Sequence, residues 1–446
     1  MRIILAGAGD VGKYLAKMLS DEEHDIILID QDVESLNNVG SHLDLLTIQG
    51  SSTSFKTLKE AEVDKADLFI AVTHTEETNI IAAMLAKKLG AKKTIARIDT
   101  HEYLREENKA HFKNLGIDNI VYPQRLAARE IVKLLHQSGT SEIFNFSKGK
   151  LSLFAIKLSK DAPIINKTLL EAVKIDKDLS YRAVAITREG KTIIPRGSDI
   201  LLENDLVYVI TRKESIKKLK KYSGIKNLNV KNIMILGGSR IGIRSAKSLQ
   251  NSNNVKLIEI DREKAFKLAD SLTNTLVING DCRDNDFLCE EDLEKMDALI
   301  AVTGNSELNM LSCLLAQKAG VKKTIAAVEN IDYIDIAEKM GIDAIINKKL
   351  IAASYISRFT INAEVASVVC LTSANAEVLE FVVHKDAKIT KDIIKNLNFP
   401  KDAILGGLVR DKSSYICKGD TQIQADDKVV VFSLPTAINK VKDFFN

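Results

Sequence analysis

The feature that most constrains this chain is that it is written twice. "IILAGAGDVG" (Ile3 to Gly12) returns about 230 positions later as "IMILGGSRIG" (Ile233 to Gly242). "IILID", ending at Asp30, aligns with "LIEID", ending at Asp261. The longest match sets "ADLFIAVTHTEETNIIAAMLAKKLGAKKTIARI" (Ala66 to Ile98) against "MDALIAVTGNSELNMLSCLLAQKAGVKKTIAAV" (Met296 to Val328). That pair is too long and too ordered for chance. Self-similarity on this scale fixes the architecture before any residue-level reading.

Within each copy, short β-rich runs alternate with helical patterns, as in a parallel sheet with crossover helices. In the first copy the strands are "RIILAG", "DIILID", "DLLTIQ", "DLFIAV", "KTIARI" and "NIVY". Helices are expected to begin near Val11, Val33, Phe55, Glu76, His101 and Gln124. "THTEETN" gives the fourth helix an N-terminal threonine with acids in its first turn. A shorter repeat follows each copy: "TIIPRGSDILLENDLVYVI" (Thr192 to Ile210) against "SYICKGDTQIQADDKVVVF" (Ser414 to Phe432). Both have a glycine turn (Gly197, Gly419), an acidic turn (Asp205, Asp427) and a closing strand. The expected fold class is α/β. Doubly wound parallel-sheet domains fall at 1–138 and 230–360, and small α+β modules at 139–224 and 365–446.

Lysine and arginine number 63 against 60 acids, a net charge of +3. That balance does not argue for a nucleic-acid or membrane surface, and no nucleic-acid partner is expected. The basic stretch "RKESIKKLKKYSG" (Arg212 to Gly224) reads as a solvated helix face, with docking on acidic loops of a membrane partner as the weaker reading. Five scattered cysteines, Cys282, Cys289, Cys313, Cys370 and Cys417, form no CxxC pair and suggest reduced thiols. The opening runs straight into glycines and an aspartate, unlike a signal peptide. No apolar run approaches the ~18 residues of a membrane span. A soluble, cytoplasmic chain is expected.

The chemistry lies in Gly7-x-Gly9-x-x-Gly12, a Rossmann-type fingerprint directly after a strand and opening a helix. The loop Gly7, Ala8, Gly9, Asp10, Val11 and Gly12 would seat a pyrophosphate on helix N-terminal amides. Asp30 would accept from the ribose hydroxyls and repel a 2′-phosphate, favouring NAD over NADP. Later strand ends bring Gln49, Gly50, Thr73 and His74 to the same edge, with Arg97 in the fifth strand. Arg97 would meet a bound phosphate, or else pair with Asp99. The second copy offers Gly237, Gly238, Ser239, Arg240 and Ile241 before Gly242, with Asp261 at the ribose position. Ala327 replaces Arg97 there, so the second seat binds differently or is partly structural.

Binding is well provided for and chemistry is not. No catalytic or metal-ligating set stands out, since His101 and His111 are ten apart and no G-x-S-x-G or P-loop occurs. A sensor is favoured, with an NAD-dependent oxidoreductase as the alternative. The helical stretch "PQRLAAREIVKLLHQSG" (Pro123 to Gly139) suits a crossing or dimerising helix, or ordinary packing within its domain.

The fingerprint GAGDVG, the "LID" acid, "AVTHTEETN" and "ARI", followed by the small module and by a second, diverged copy of the whole arrangement, resemble the TrkA family of tandem RCK (KTN) proteins. These are cytoplasmic NAD-binding regulatory subunits of Trk potassium-uptake systems. The resemblance implies TrkA-N and TrkA-C domains and NAD or NADH as ligand, with ATP or ADP as further candidates. It also implies a homo-oligomeric ring, dimer or tetramer, beneath a membrane potassium-translocating subunit. Family nucleotide positions fall on Gly7 through Val11, Asp30, Thr73, His74 and Arg97, and on Gly237 through Ile241 and Asp261.

Overall fold

Six parallel strands and the helices between them account for the first copy in the computed structural model of the chain. Residues 21–23, 137–142, 177–179, 190, 217, 220–229, 358, 360–364, 372–373, 375, 412 and 446 lie outside the described residues. The first copy runs β1 (Arg2–Ala6), α1 (Asp10–Ser20), β2 (Asp25–Asp30), α2 (Val33–Gly40), β3 (Leu46–Gln49) and α3 (Phe55–Glu60). It continues through β4 (Leu68–Ala71), α4 (Glu76–Leu89), β5 (Lys93–Arg97), α5 (Glu106–Asn114), β6 (Asn119–Val121) and α6 (Pro123–His136). The strand order is β3-β2-β1-β4-β5-β6, and every pairing is parallel. All four residues of β4 are buried, as expected of a strand covered on both faces. The order reverses between β1 and β4, and their carboxyl ends open the crevice in which ligands of such sheets sit.

The small module of the first half follows as β7 (Ile143–Phe146), β8 (Leu151–Lys157), α7 (Leu169–Lys174), β9 (Tyr181–Arg188), β10 (Lys191–Ile193) and β11 (Leu206–Thr211). The second large domain begins with β12 (Asn232–Leu236), α8 (Arg240–Leu249), β13 (Asn254–Glu259), α9 (Arg262–Ser271), β14 (Thr275–Asn279) and α10 (Asn285–Glu290). It is completed by β15 (Ala298–Ala301), α11 (Ser306–Lys318), β16 (Lys323–Ala327), α12 (Asp332–Lys339), β17 (Ala344–Ile346) and α13 (Lys348–Ser357). Its order, β14-β13-β12-β15-β16-β17, repeats the first. The last module holds β18 (Val365–Leu371), β19 (Ala376–Val382), β20 (Ala403–Arg410), β21 (Ser413–Ile416), β22 (Lys428–Ser433) and α14 (Ile438–Phe445).

Chain order is not spatial order. One compact unit joins Met1–His136 to Asn229–Thr360, and a second joins Gln137–Leu228 to Ile361–Asn446. In the first unit the copies exchange helices. Ala127, Ala128, Ile131 and Leu135 of α6 belong to the core of the second copy, with Ile233, Ile235 and Leu249. Ala353 and Ile356 of α13 return the favour, packing with Leu15 and Leu19 of the first. Burying Ile131 and Leu135 is worth roughly 1.5–3 kcal/mol each. The apolar stripe in "LAAREIVKLL" is therefore a crossing surface.

In the second unit both modules form five-stranded antiparallel sheets of the same order, β7-β8-β11-β9-β10 and β18-β19-β22-β20-β21. Their shared core includes Phe146, Leu151, Tyr208, Val378 and Phe432. The "acidic turns" of the sequence are buried. Asp205 is held by Arg188 Nε and Nη2, both at 2.8 Å, and Asp427 by Arg410 at 2.8 and 2.7 Å. A bidentate guanidinium is what makes a buried carboxylate tolerable.

Three local expectations change. The fifth helix starts at Glu106, after a short 3-10 turn at Glu102–Leu104. The third strand begins at Leu46 rather than Asp44. Thr75 precedes α4, but its hydroxyl donates to Thr78 Oγ1 at 2.7 Å and caps no amide. Of the basic stretch, Lys217 and residues 220–224 lie outside the described residues, while Ile216 and Leu219 pack on the first small module. Among the described residues no helix is long and apolar enough to cross a membrane.

Candidate functional site

Gly7 sits at φ +114°, a conformation that side chains rarely adopt, and a Cβ there would lie 2.8 Å from the Thr73 amide nitrogen. Gly12 brings α1 so close that a Cβ would meet Gly7 O at 1.8 Å. Gly9 has no side chain to cap α1, and the His74 ring lies 3.5 Å from where its Cβ would be. Asp30, at the tip of β2, fastens this turn: its Oδ2 accepts from Ala8 N at 2.5 Å and its Oδ1 from Asp32 N at 2.9 Å. Each carboxylate oxygen keeps a second lone pair, so ribose hydroxyls can still donate to it. Gly7, Ala8, Gly9, Asp10, Val11, Gly12, Asp30, Thr73 and His74 thus meet at one edge.

Arg97 pairs with Asp99 at 2.8 Å and donates to His74 O at 3.3 Å. The alternative raised by the sequence, an internal ion pair, is the contact present. Its Nε is buried without a partner, leaving one donor unused beside the seat. Burial pushes the Asp99 carboxyl up, but bonds from Gln124 and Arg97 more than offset this and hold it low.

Asn79 was not singled out by sequence, and it ties the seat together. Fully buried on α4, it accepts from Thr73 N and Oγ1, both at 2.7 Å, and donates to Arg97 O at 3.0 Å. Glu76 likewise accepts from Asp99 N at 2.7 Å and Thr100 N at 2.8 Å. The signal for Asn79 was its recurrence as Asn309 in the longest repeat. Asn309 makes the same bonds to Thr303 and to Ala327 O.

The second seat keeps this frame and changes its fittings. Gly237 lies at φ +100°, and a Cβ on Gly242 would be 2.2 Å from Gly237 O. Asp261 is not the counterpart of Asp30. Strand register pairs Ala6 with Ile29 and Leu236 with Ile258, so the next residues, Asp30 and Glu259, are equivalent. Glu259 accepts from Gly238 N at 2.9 Å and Asp261 N at 3.0 Å, repeating the bonds of Asp30. Asp261 instead caps α9, accepting from Lys264 N at 2.9 Å, as Asp32 caps α2. The two "ID" dipeptides look alike, and only the register separates them.

Glu259 is one methylene longer than Asp30, and Gly238 makes room for it where the first copy has Ala8. A Cβ on Gly238 would lie 2.6 Å from Glu259 Oε2. Lys264 Nζ pairs with that carboxylate at 2.6 Å. Burial pushes the Glu259 carboxyl up, but Lys264 and the amides of Asp261 and Gly238 prevail and hold it below the usual range. Ser239 turns back to accept from Gly242 N at 3.2 Å, capping α8 itself. Arg240, an exposed residue, donates to Asp99 O of the first copy at 3.3 Å, and Ile241 is buried. Among the described residues no His, Cys, Asp and Glu group is arranged to hold a metal ion.

Residues 3–123 and 233–348 match the TrkA-N domain family, and residues 153–224 and 378–446 the TrkA-C domain family. The chain is 33% identical to a Trk system potassium uptake protein TrkA homolog of Archaeoglobus fulgidus over the whole of both chains. It is 32% identical to the Trk system potassium uptake protein TrkA of Vibrio alginolyticus, over 97% of this chain and 95% of the relative. A solved GsuK channel bound to NAD shares the fold, with a TM-score of 0.63 and 14% identity over all of this chain and 78% of that one. Two TrkA-N and two TrkA-C domains in tandem, aligned end to end with such relatives, place the chain in the Trk system potassium uptake protein TrkA family.

Proposed function

We infer that the chain is the nucleotide-sensing regulatory subunit of a Trk-type potassium uptake system, working at the cytoplasmic face of the membrane through a potassium-translocating partner. The first seat takes NAD or NADH, with ATP and ADP as competing ligands. Amides of the Gly7–Gly12 loop hold the phosphates, Asp30 holds the ribose, and Thr73, His74 and Arg97 border them. The second seat, with Glu259 already paired to Lys264 and Ser239 capping its own helix, binds more weakly. A nucleotide moves a conformational equilibrium only by its unequal affinity for two states. Here those states differ in the packing of the two TrkA-N domains, and an oligomeric ring passes the difference to the membrane subunit.

The observation that carries this reading is Asp30 fastening an uncapped glycine turn, on a chain aligned end to end with TrkA relatives. That a GsuK channel of the same fold was solved bound to NAD supports the choice of ligand. Calorimetric titration of NAD into wild type, Asp30→Ala and Glu259→Ala proteins tests it. One tight site per chain is expected, lost in Asp30→Ala and kept in Glu259→Ala. Failure of the wild type to bind adenine nucleotides overturns it. So does turnover of NADH with a hydroxy or amino acid, which would make the protein an NAD-dependent oxidoreductase.

A further inference from the structure

The first seat is completed from the second domain. Lys349, in the first turn of α13, reaches across to Asp10 in the first turn of α1, with Nζ 2.6 Å from Oδ2. The Lys349 side chain is 20% exposed and that of Asp10 62%, so the lysine is packed between the copies while the acid it meets lies at the solvent rim of the interface. Asp10 stands directly after Gly9, in the turn whose amides face a bound pyrophosphate. A carboxylate there repels the ligand unless it is neutralised. The bond from Lys349 is the main influence holding the Asp10 carboxyl low, against burial, with smaller help from Lys13 and His74.

The mirror contact is built differently. The counterparts of Lys349 and Asp10 are Gln124 and Arg240, and both turn to Asp99: Gln124 Nε2 to its Oδ1 at 3.1 Å, Arg240 Nη1 to its backbone oxygen at 3.3 Å. An acid in the glycine turn, paired with a cation from the other domain, therefore exists at the first seat and not at the second. The helix that carries Lys349 also buries Ala353 and Ile356 in the first copy's core. Its docking and the charge of the first seat are one structural event.

We propose that Lys349 is a positioning residue that neutralises Asp10 across the domain interface, so that nucleotide affinity at the first seat depends on the docking of α13. This rests on the nucleotide reading of that seat. Coupling is reciprocal, so nucleotide binding strengthens the docking of α13 by the same factor that docking strengthens binding.

The test is a titration of NAD and ADP into the full-length protein at low salt, with Lys349→Ala, Lys349→Arg, Asp10→Asn, the Lys349→Ala/Asp10→Asn pair and Asp30→Ala. Lys349→Ala should weaken binding about tenfold, the scale of one uncompensated charge near a phosphate. Lys349→Arg should stay near wild type, and the double variant should return to within about threefold of it, because the repelling carboxylate is gone. A merely structural role for Lys349 predicts no rescue by Asp10→Asn. Equal loss in the single and double variants overturns the proposal, as does a Lys349→Ala protein that binds like wild type while Asp30→Ala does not. A wild-type protein that ignores both nucleotides overturns the nucleotide reading and this proposal with it.

Discussion

The two TrkA-N domains share a frame and differ in what they leave open. Both have the positive-φ glycine after the first strand, the close glycine in the following helix, and the buried asparagine joining the fourth and fifth strands. They part at the polar fittings. The first leaves its helix uncapped by side chains at Gly9, and no cation among the described residues pairs with Asp30. The second caps itself with Ser239 and pairs Glu259 with Lys264. The shared parts are those that fold the domain, and the differing parts are those proposed to meet a ligand. The common frame and the proposed seat are thus separable in this molecule, and each separation can be tested.

The largest effects should strike both copies alike. Gly12→Ala and Gly242→Ala would drive a methyl into a backbone oxygen, at 1.8 and 2.2 Å, which no rotamer change relieves. Each should cost roughly 3 kcal/mol or more, enough to lower the melting temperature by many degrees or prevent folding. A Gly242→Ala protein with wild-type melting would break the claim of a common frame. Asn79→Ala and Asn309→Ala come next, at about 2–3 kcal/mol each in denaturant unfolding, because each leaves several buried polar groups without partners. Similar losses are expected in the two copies. A loss confined to one of the two would break the claim that both copies rest on the same asparagine frame.

How much of this could be read from the sequence follows from which interactions are local. The glycine turns, the alternation of strands with helices and the small modules were legible because glycine spacing and apolar periodicity are written within a few residues. Asp30 was legible for the same reason. Its counterpart was misplaced by two residues, since "LIEID" offers two acids and only pairing with the neighbouring strand chooses Glu259. The compensating change, Ala8 to Gly238 opposite Asp30 to Glu259, is visible only when those strands are side by side. The crossing of α6 could be suspected from its stripe, but its destination, about 100 residues further on, could not. Lys349 had no local signal at all, because its partner Asp10 lies 339 positions away.

A pH series sharpens the comparison at the acid of the second copy. The folded-state pKa of Glu259 is depressed, so its contribution to stability is present above the ordinary glutamate value and is lost as the pH falls through the folded value. Glu259→Gln should therefore be less stable than wild type near neutral pH. The gap should narrow as the pH drops below the ordinary glutamate range. Melting curves from pH 7 down to pH 3 check this, and a gap that widens in acid contradicts the ion pair with Lys264.

The smallest effect on stability, and the most direct exchange between the copies, is to swap their caps. Gly9→Ser has space, since its Cβ would stand 3.5 Å from the His74 ring, an ordinary contact. It should cap α1 as Ser239 caps α8 and raise stability by only a few tenths of a kcal/mol, the usual difference between serine and glycine at that position. Ser239→Gly should lose about as much. Nucleotide binding should move the other way. Gly9→Ser engages an amide that the pyrophosphate would use and places a side chain at the point of closest approach, so affinity at the first seat falls. Ser239→Gly releases the Gly242 amide but leaves Glu259 paired with Lys264, so the second seat gains little. Melting curves with and without NAD separate the two terms. A Gly9→Ser protein that is slightly more stable alone and less stabilised by NAD would show that one glycine decides whether this helix end serves its own fold or a ligand. One that binds NAD as wild type does would show that the cap is irrelevant and that the acids alone distinguish the copies.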